Sequence, residues 1–112
     1  MNFYGLKTCD TCRKAQKELT TAGKDFAVTD VRADGVGAEK LKAWTQKMDW
    51  QKLLNTRSTT WRGLDDRDKA DMTVEKAIGL MAIHPTLIKR PVIELGDAVY
   101  VGWTPETKAN VL

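Results

Sequence analysis

The chain carries two thiols, Cys9 and Cys12, in the single run Cys9-Asp10-Thr11-Cys12. In a cytosolic chain with a βα pattern around it, Cys-x-x-Cys marks thiol–disulfide chemistry. A structural zinc site usually needs four ligands. Here the remaining soft ligand is His84, far from the pair, so a zinc ribbon would lack its second half. A disulfide-stapled secreted fold would spread more cysteines along the chain.

A thiolate at a strand-to-helix junction faces backbone N–H groups that have no helical partner and the positive end of the helix dipole. Lys7 and Arg13 add positive charge nearby. Such surroundings lower a cysteine pKa by about one to several units. Cys9, the N-terminal member, is expected to attack, and Cys12 to resolve by forming the disulfide. Two arginines are candidate anion ligands, because a guanidinium grips an oxyanion as a fork. Arg57 lies in the polar stretch Leu53-Leu54-Asn55-Thr56-Arg57-Ser58-Thr59, and Arg90 directly precedes Pro91. With Lys7, Asp10 and Thr11 they make up the expected set for binding an oxyanion or thiol substrate. His84 is read at a helix C-terminus, where a cationic ring complements the dipole. Trp44, Trp50, Trp61 and Trp103 are read as packing residues.

The elements that position these residues follow from local pattern. Asn2 to Gly5 reads as a first strand. Cys12, Ala15, Leu19 and Ala22 fall on one helical face, and Gly23 follows as the residue that ends the helix. Phe26 to Val31 reads as a second strand. Leu41, Trp44 and Met48 recur at helical spacing, giving a helix from about Ala38 to Met48. Trp50, Leu53 and Leu54 suit a short helix or turn. Asn55 to Asp68 is polar, with Trp61 and Leu64 as anchors. Val74, Ala77, Ile78, Met81 and Ala82 form the strongest helical stripe, expected to end near His84 because Pro85 disfavours helix before it. Pro91 to Leu95 and Ala98 to Val101 are β-branched runs joined by Gly96-Asp97, which suits a type II′ hairpin. Thr104-Pro105-Glu106 opens a last helix, to about Val111. The order is β-α-β, a helical segment, then β-β-α. That is an α/β, thioredoxin-like fold with a mixed four-stranded sheet and a helical insertion over about residues 34–88, in one domain spanning 1–112.

Composition sets the class. Of 112 residues, 42% are apolar and 29% charged, as in an average globular protein. Eighteen Lys and Arg against fifteen Asp and Glu give +3, with the two signs interspersed. A nucleic-acid binder concentrates its basic charge on one face, so direct nucleic-acid binding is not expected. No apolar run approaches the ~18 residues of a membrane span. No secretory leader is evident, so a cytoplasmic protein, monomeric by default, is the expectation.

Taken in order, Tyr4-Gly5 through Cys9-Asp10-Thr11-Cys12-Arg13-Lys14-Ala15, Asn55-Thr56-Arg57-Ser58, His84-Pro85-Thr86-Leu87-Ile88-Lys89-Arg90-Pro91 and Val101-Gly102-Trp103 resemble the arsenate reductase (ArsC) family, nearest its YffB- and Spx-type branch. The resemblance spans essentially the whole chain. It implies a thiol-dependent reductase with Cys9 as catalytic cysteine and Arg57 and Arg90 holding the oxyanion or glutathionylated intermediate. It implies a cis-proline at Pro91. It also implies glutathione as co-substrate with no bound cofactor, and glutaredoxin or thioredoxin as possible protein partners. The family includes two other functions: redox-sensing regulators that bind RNA polymerase, and arsenate reductases proper. The latter carry His-Asn-Pro where Gly5-Leu6-Lys7 stands, a third arginine near Gly102 or Trp103, and often serine at the place of Cys12. The gained Cys12 favours an intramolecular disulfide.

Overall fold

The computed structural model describes residues 1–112 and divides the chain into two compact units. One consists of Met1–Asp34 with Arg90–Leu112, the other of Gly35–Lys89. The cuts fall next to the ends of the insertion read from the sequence.

The first unit holds strands β1 (Asn2–Gly5), β2 (Ala27–Asp30), β3 (Val92–Leu95) and β4 (Ala98–Val101). They form one mixed sheet in the order β2-β1-β3-β4. β1 and β2 are parallel, and β3 runs antiparallel to both β1 and β4. Between β1 and β2 lies helix α1 (Asp10–Thr21), and after β2 the single turn α2 (Val31–Asp34). This is the expected thioredoxin-like arrangement.

The sequence chemistry explains the boundaries. α1 stops where Gly23 takes φ +74°, the left-handed conformation that glycine enters without a Cβ penalty. Gly96 at φ +59° and an Asp97 outside the left-handed region make the hairpin turn the expected II′ type. The Thr104 hydroxyl accepts from the Thr107 amide and starts the closing helix of the unit, Pro105–Val111, with proline in its first turn. One face of α1 contributes Cys12, Ala15 and Leu19 to a core that also holds Phe3, Ile93 and Val111. Phe3 and Ile93 are register partners on neighbouring strands. Phe3 also meets Phe26 ring to ring at 5.9 Å. Truncating a fully buried side chain such as Leu19 is expected to cost about 2–5 kcal/mol.

The second unit is helical: α3 (Ala38–Lys47), α4 (Trp50–Leu53), α5 (Thr59–Arg62), α6 (Asp66–Lys69) and α7 (Val74–Ile83), followed by a 3₁₀ turn over Pro85–Leu87. The closing helix of the first unit is therefore α8. Leu41, Trp44, Ala77, Leu80 and Met81 are buried, and α3 packs on α7. Leu80 is buried where the stripe read from the sequence would have placed Val74 and Ile78, which are only half-buried. Leu54 and Ile88 bridge antiparallel, with the Asn55 amide donating to the Leu87 carbonyl at 2.7 Å and the Lys89 amide to Leu53 at 2.8 Å. No helix is long and apolar enough to cross a membrane.

Candidate active site

The thiol pair sits where β1 hands over to α1. Cys9 is the N-cap of α1, in extended conformation at φ −88°, ψ 117°. Its carbonyl accepts the first helical bond, from the Arg13 amide at 3.0 Å, and its own amide donates to the Leu6 carbonyl at 3.2 Å. Cys12 lies one turn on, in the third helical position. The same three-residue spacing gives the two sulfurs opposite environments. The N-cap side chain lies over the open end of the helix, leaving Cys9 half-buried, whereas Cys12 turns into the sheet and is fully buried. Both are free thiols.

Gly5 makes the burial of Cys12 possible. A Cβ on Gly5 would stand 2.9 Å from Cys12 Sγ and 2.9 Å from Phe3 Cε1. Side-chain carbons and sulfur need more separation than that, so the sulfur occupies space that only glycine leaves.

Electrostatics separates the pair further. Burial of Cys9 works against its thiolate. The Cys12 amide, the Cys12 thiol and Arg90 outweigh that burial by hydrogen bonding, with the Arg90 charge adding to them, and the Cys9 thiol falls below its ordinary range. No full capping bond closes on the sulfur. The amide nonetheless points at it closely enough to favour negative charge, as an N-cap acceptor would receive it. Cys12 moves the other way, pushed up to about 11 chiefly by burial. The neighbouring Cys9 adds to that rise, while the Leu6 backbone hydrogen bond and the Arg90 charge oppose it. The pair is therefore split: Cys9 ionises more readily than an ordinary thiol, and Cys12 stays a thiol at neutral pH.

Of the residues singled out from the sequence, the structure brings Cys9, Cys12 and Arg90 together. Pro91 is buried next to them, and the Arg90-Pro91 bond is cis, as the resemblance implied. Asp10 and Thr11 are exposed, Asp10 pairing with Arg13 at 3.7 Å, a surface contact worth little. Lys7 is exposed at its side chain; its main chain does the structural work described below. Arg57 belongs to the second unit, on the loop before α5, with its side chain exposed. The backbone there is held firmly. Arg57 donates its amide to Asn55 Oδ1 at 3.0 Å and accepts from Arg62 at 2.8 Å, and Ser58 Oγ takes the Trp61 amide at 3.1 Å. His84 is half-buried and links α7 to the 3₁₀ turn through its main chain. No cluster of His, Cys, Asp or Glu suits a metal ion.

Sequence reasoning missed Gly5 and Asp30. Asp30 ends β2, where a carboxylate directly before a helical turn is an N-cap signal. Its Oδ1 accepts from the Arg32 and Ala33 amides at 2.9 and 3.0 Å, and its Oδ2 from the Lys7 amide at 3.1 Å. The Ala33 and Lys7 amides lead in holding its carboxyl below the usual range, and the Lys7 ammonium contributes.

With this geometry in place, comparison with known proteins is decisive. The ArsC family model matches residues 4–111, nearly the entire chain. The chain belongs to the ArsC family. The solved structure of a YffB protein is 41% identical, superimposes with a TM-score of 0.94, and covers 99% of this chain and 97% of its own. A protein of Haemophilus influenzae is 38% identical over 92% of this chain and 90% of its own. An arsenate reductase (ArsC) related protein from Brucella melitensis is 34% identical, with a TM-score of 0.76, over 96% of this chain and 89% of its own. Among more distant ArsC-family relatives is the global transcriptional regulator Spx of Lactiplantibacillus plantarum, 25% identical over 93% of this chain and 80% of its own. The thioredoxin-like sheet and the family placement thus agree.

Proposed function

We propose that the protein is a thiol-dependent reductase, linked to glutathione or glutaredoxin, with Cys9 as nucleophile and Cys12 as resolving thiol. The observation that carries this reading is the asymmetry of the pair: a half-exposed Cys9 favoured as thiolate by Arg90 and Cys12, beside a buried Cys12 held as thiol. The Cys9 thiolate attacks one sulfur of an oxidised substrate R–S–S–R′, forming Cys9–S–S–R and expelling R′–S⁻. Cys12 gives up its proton, which R′–S⁻ takes, and its sulfur attacks Cys9 Sγ, expelling R–S⁻ and closing the Cys9–Cys12 disulfide. The substrate gains two electrons, and two equivalents of glutathione return them to the pair. Arg90 supports the anionic group at Cys9 throughout. Arg57 retains the oxyanion-holding role the family resemblance implies, and Arg57→Ala tests it through the Michaelis constant.

Reduction of a glutathione mixed disulfide, coupled to glutathione reductase, tests the reading. Cys9→Ser is expected to abolish turnover. Cys12→Ser is expected to retain it with a steeper dependence on glutathione, because an external thiol must then resolve the intermediate. Turnover persisting in Cys9→Ser refutes the assignment.

The match to Spx regulators supports a second reading, in which the same pair is a sensor whose oxidation alters binding to RNA polymerase. Binding of purified polymerase to the reduced and the disulfide form separates the two. Equal absence of binding removes the sensor.

A further inference from the structure

The Lys7 peptide unit is held from both sides. Its amide donates to Asp30 Oδ2 at 3.1 Å, and its carbonyl accepts from Arg13 Nε at 2.9 Å. Asp30 is anchored by the end of β2 and by the α2 amides it caps, and Arg13 by the first turn of α1. Two residues downstream of this grip lies Cys9, whose amide is tied back to Leu6 at 3.2 Å. Three hydrogen bonds therefore tie down the main chain between β1 and α1, although Lys7 and Thr8 are exposed. Exposed loops ordinarily fray.

We propose that Asp30 and Arg13 are positioning residues for the nucleophile, clamping the Lys7 peptide so that the Cys9 sulfur stays aligned over the first turn of α1 and against Arg90. This rests on the reductase reading for the role of Cys9. The groups that face Cys9 are Cys12 of α1 and Arg90 ahead of β3. Those facing Asp30 are the Lys7, Arg32 and Ala33 amides and the Lys7 ammonium. Neither Asp30 nor Arg13 touches the sulfur in this scheme, so both act through the loop.

Asp30→Asn separates alignment from charge. The asparagine oxygen still caps α2, since asparagine is among the best N-cap residues. Its amide nitrogen then opposes the Lys7 N–H, donor against donor. Removing a carboxylate and freeing the Lys7 ammonium would, by charge alone, favour the Cys9 thiolate and speed its alkylation. Losing the clamp does the reverse. Each unit by which the Cys9 pKa rises is a tenfold loss of thiolate below it.

The experiment is iodoacetamide alkylation of Cys9 against pH in the full chain, read by peptide mass spectrometry, with hydrogen exchange of the Lys7 amide. Asp30→Asn is expected to alkylate roughly three- to tenfold more slowly at pH 6, a loss of about half to one unit in thiolate preference. Its Lys7 amide is expected to exchange at least about tenfold faster, as a released loop amide does. A variant that alkylates as fast as the wild type or faster overturns the clamp. An unprotected Lys7 amide in the wild type overturns it too, with no variant required. A wild-type Cys9 that titrates like a free thiol near ~8.5 instead overturns the reductase reading.

Discussion

Gly5→Ala is the sharpest test of how the buried sulfur is housed. Gly5 has an ordinary strand conformation, so the substitution asks only whether a methyl group fits. The added Cβ would lie 2.9 Å from Cys12 Sγ, 2.9 Å from Phe3 Cε1 and 3.3 Å from Cys12 Cβ. Comfortable carbon contacts are about 3.5–4.0 Å, so the overlap is about half an ångström or more against two neighbours at once. Both neighbours are 0% exposed and belong to one cluster with Ala15, Leu19, Ile93 and Val111, so neither can swing into solvent. Overpacking of this kind costs about 1–3 kcal/mol. The restricted unfolded chain returns about 0.4–1 kcal/mol. The net expectation is a destabilisation of about 1–2 kcal/mol. For a chain of this size that lowers the melting temperature by about 4–10 °C.

Thermal unfolding of the reduced protein reads this directly, and a double-mutant cycle isolates its cause. In a Cys12→Ala background the sulfur is gone, leaving the Phe3 contact and the milder 3.3 Å contact to the residue-12 Cβ, so Gly5→Ala should cost about half as much. Strict additivity of the two substitutions, or a Gly5→Ala protein as stable as the wild type, refutes the claim that glycine makes room for the sulfur.

Three further outcomes are expected. At pH 7 a Cys12 pKa of about 11 leaves about one thiolate in ten thousand. Cys9, whose thiol falls below its ordinary range, should alkylate at least about tenfold faster even after its weaker intrinsic nucleophilicity is allowed for; equal rates, resolved by mass spectrometry, refute the asymmetry. Because burial raises the folded Cys12 pKa above its unfolded value, its contribution to stability is complete below about pH 9 and is lost as pH rises toward about 11. Reduced wild type should therefore lose about 2–3 kcal/mol over that range relative to Cys12→Ala, and denaturant titrations that run parallel would count against it. Trp103→Phe removes the indole donor to Glu18, a half-buried carboxylate that Lys108 also approaches at 3.9 Å. It should lower stability by about 1 kcal/mol with Cys9 alkylation unchanged, and an altered alkylation rate would show that the Trp103–Glu18 contact reaches the site.

What was legible in the sequence was whatever carried a local chemical mark. β1, α1, the hairpin and α8 stand where Gly23, Gly96-Asp97 and Thr104-Pro105-Glu106 announced them. The second strand was read through Val31 but ends at Asp30, because the Asp30 carboxylate caps a turn that starts at Val31. The stretch from Asn55 to Asp68 read only as polar, with Trp61 and Leu64 as anchors, and it contains α5 and begins α6. Their caps, Ser58 and Asp65, are conventional, but neither helix has a buried residue, so hydrophobic periodicity had nothing to register. In α7 nearly every side chain is apolar, and the buried face cannot be chosen from spacing when both faces look alike. At the site, Cys9 and Cys12 were legible from spacing. Arg90 was a candidate from its place before Pro91 and again from the resemblance, but its approach to Cys9 depends on the distant pairing of β1 with β3. Gly5 was invisible because its importance lies in a contact with Cys12 that only the packed structure creates.

The opposite settings of the two cysteines follow from one helical turn, and in the proposed reductase cycle they order the chemistry in time. Two of the influences that raise Cys12, its hydrogen bond to Cys9 and the nearby Cys9 charge, exist only while Cys9 is a thiolate. While Cys9 is free, Cys12 therefore remains a thiol and lends its proton to the nucleophile. Once Cys9 is spent in a mixed disulfide, its sulfur is neutral and both influences vanish. Burial still opposes ionisation, but the Leu6 hydrogen bond and the Arg90 charge now act on Cys12 against burial alone. The resolving thiol becomes easier to ionise only after there is something to resolve. Arg90 serves both steps, because it favours the thiolate form of each cysteine. A pair spaced by one residue fewer would not place one sulfur at the open helix end and the other in the core beside it, since side chains two apart do not share a helical face.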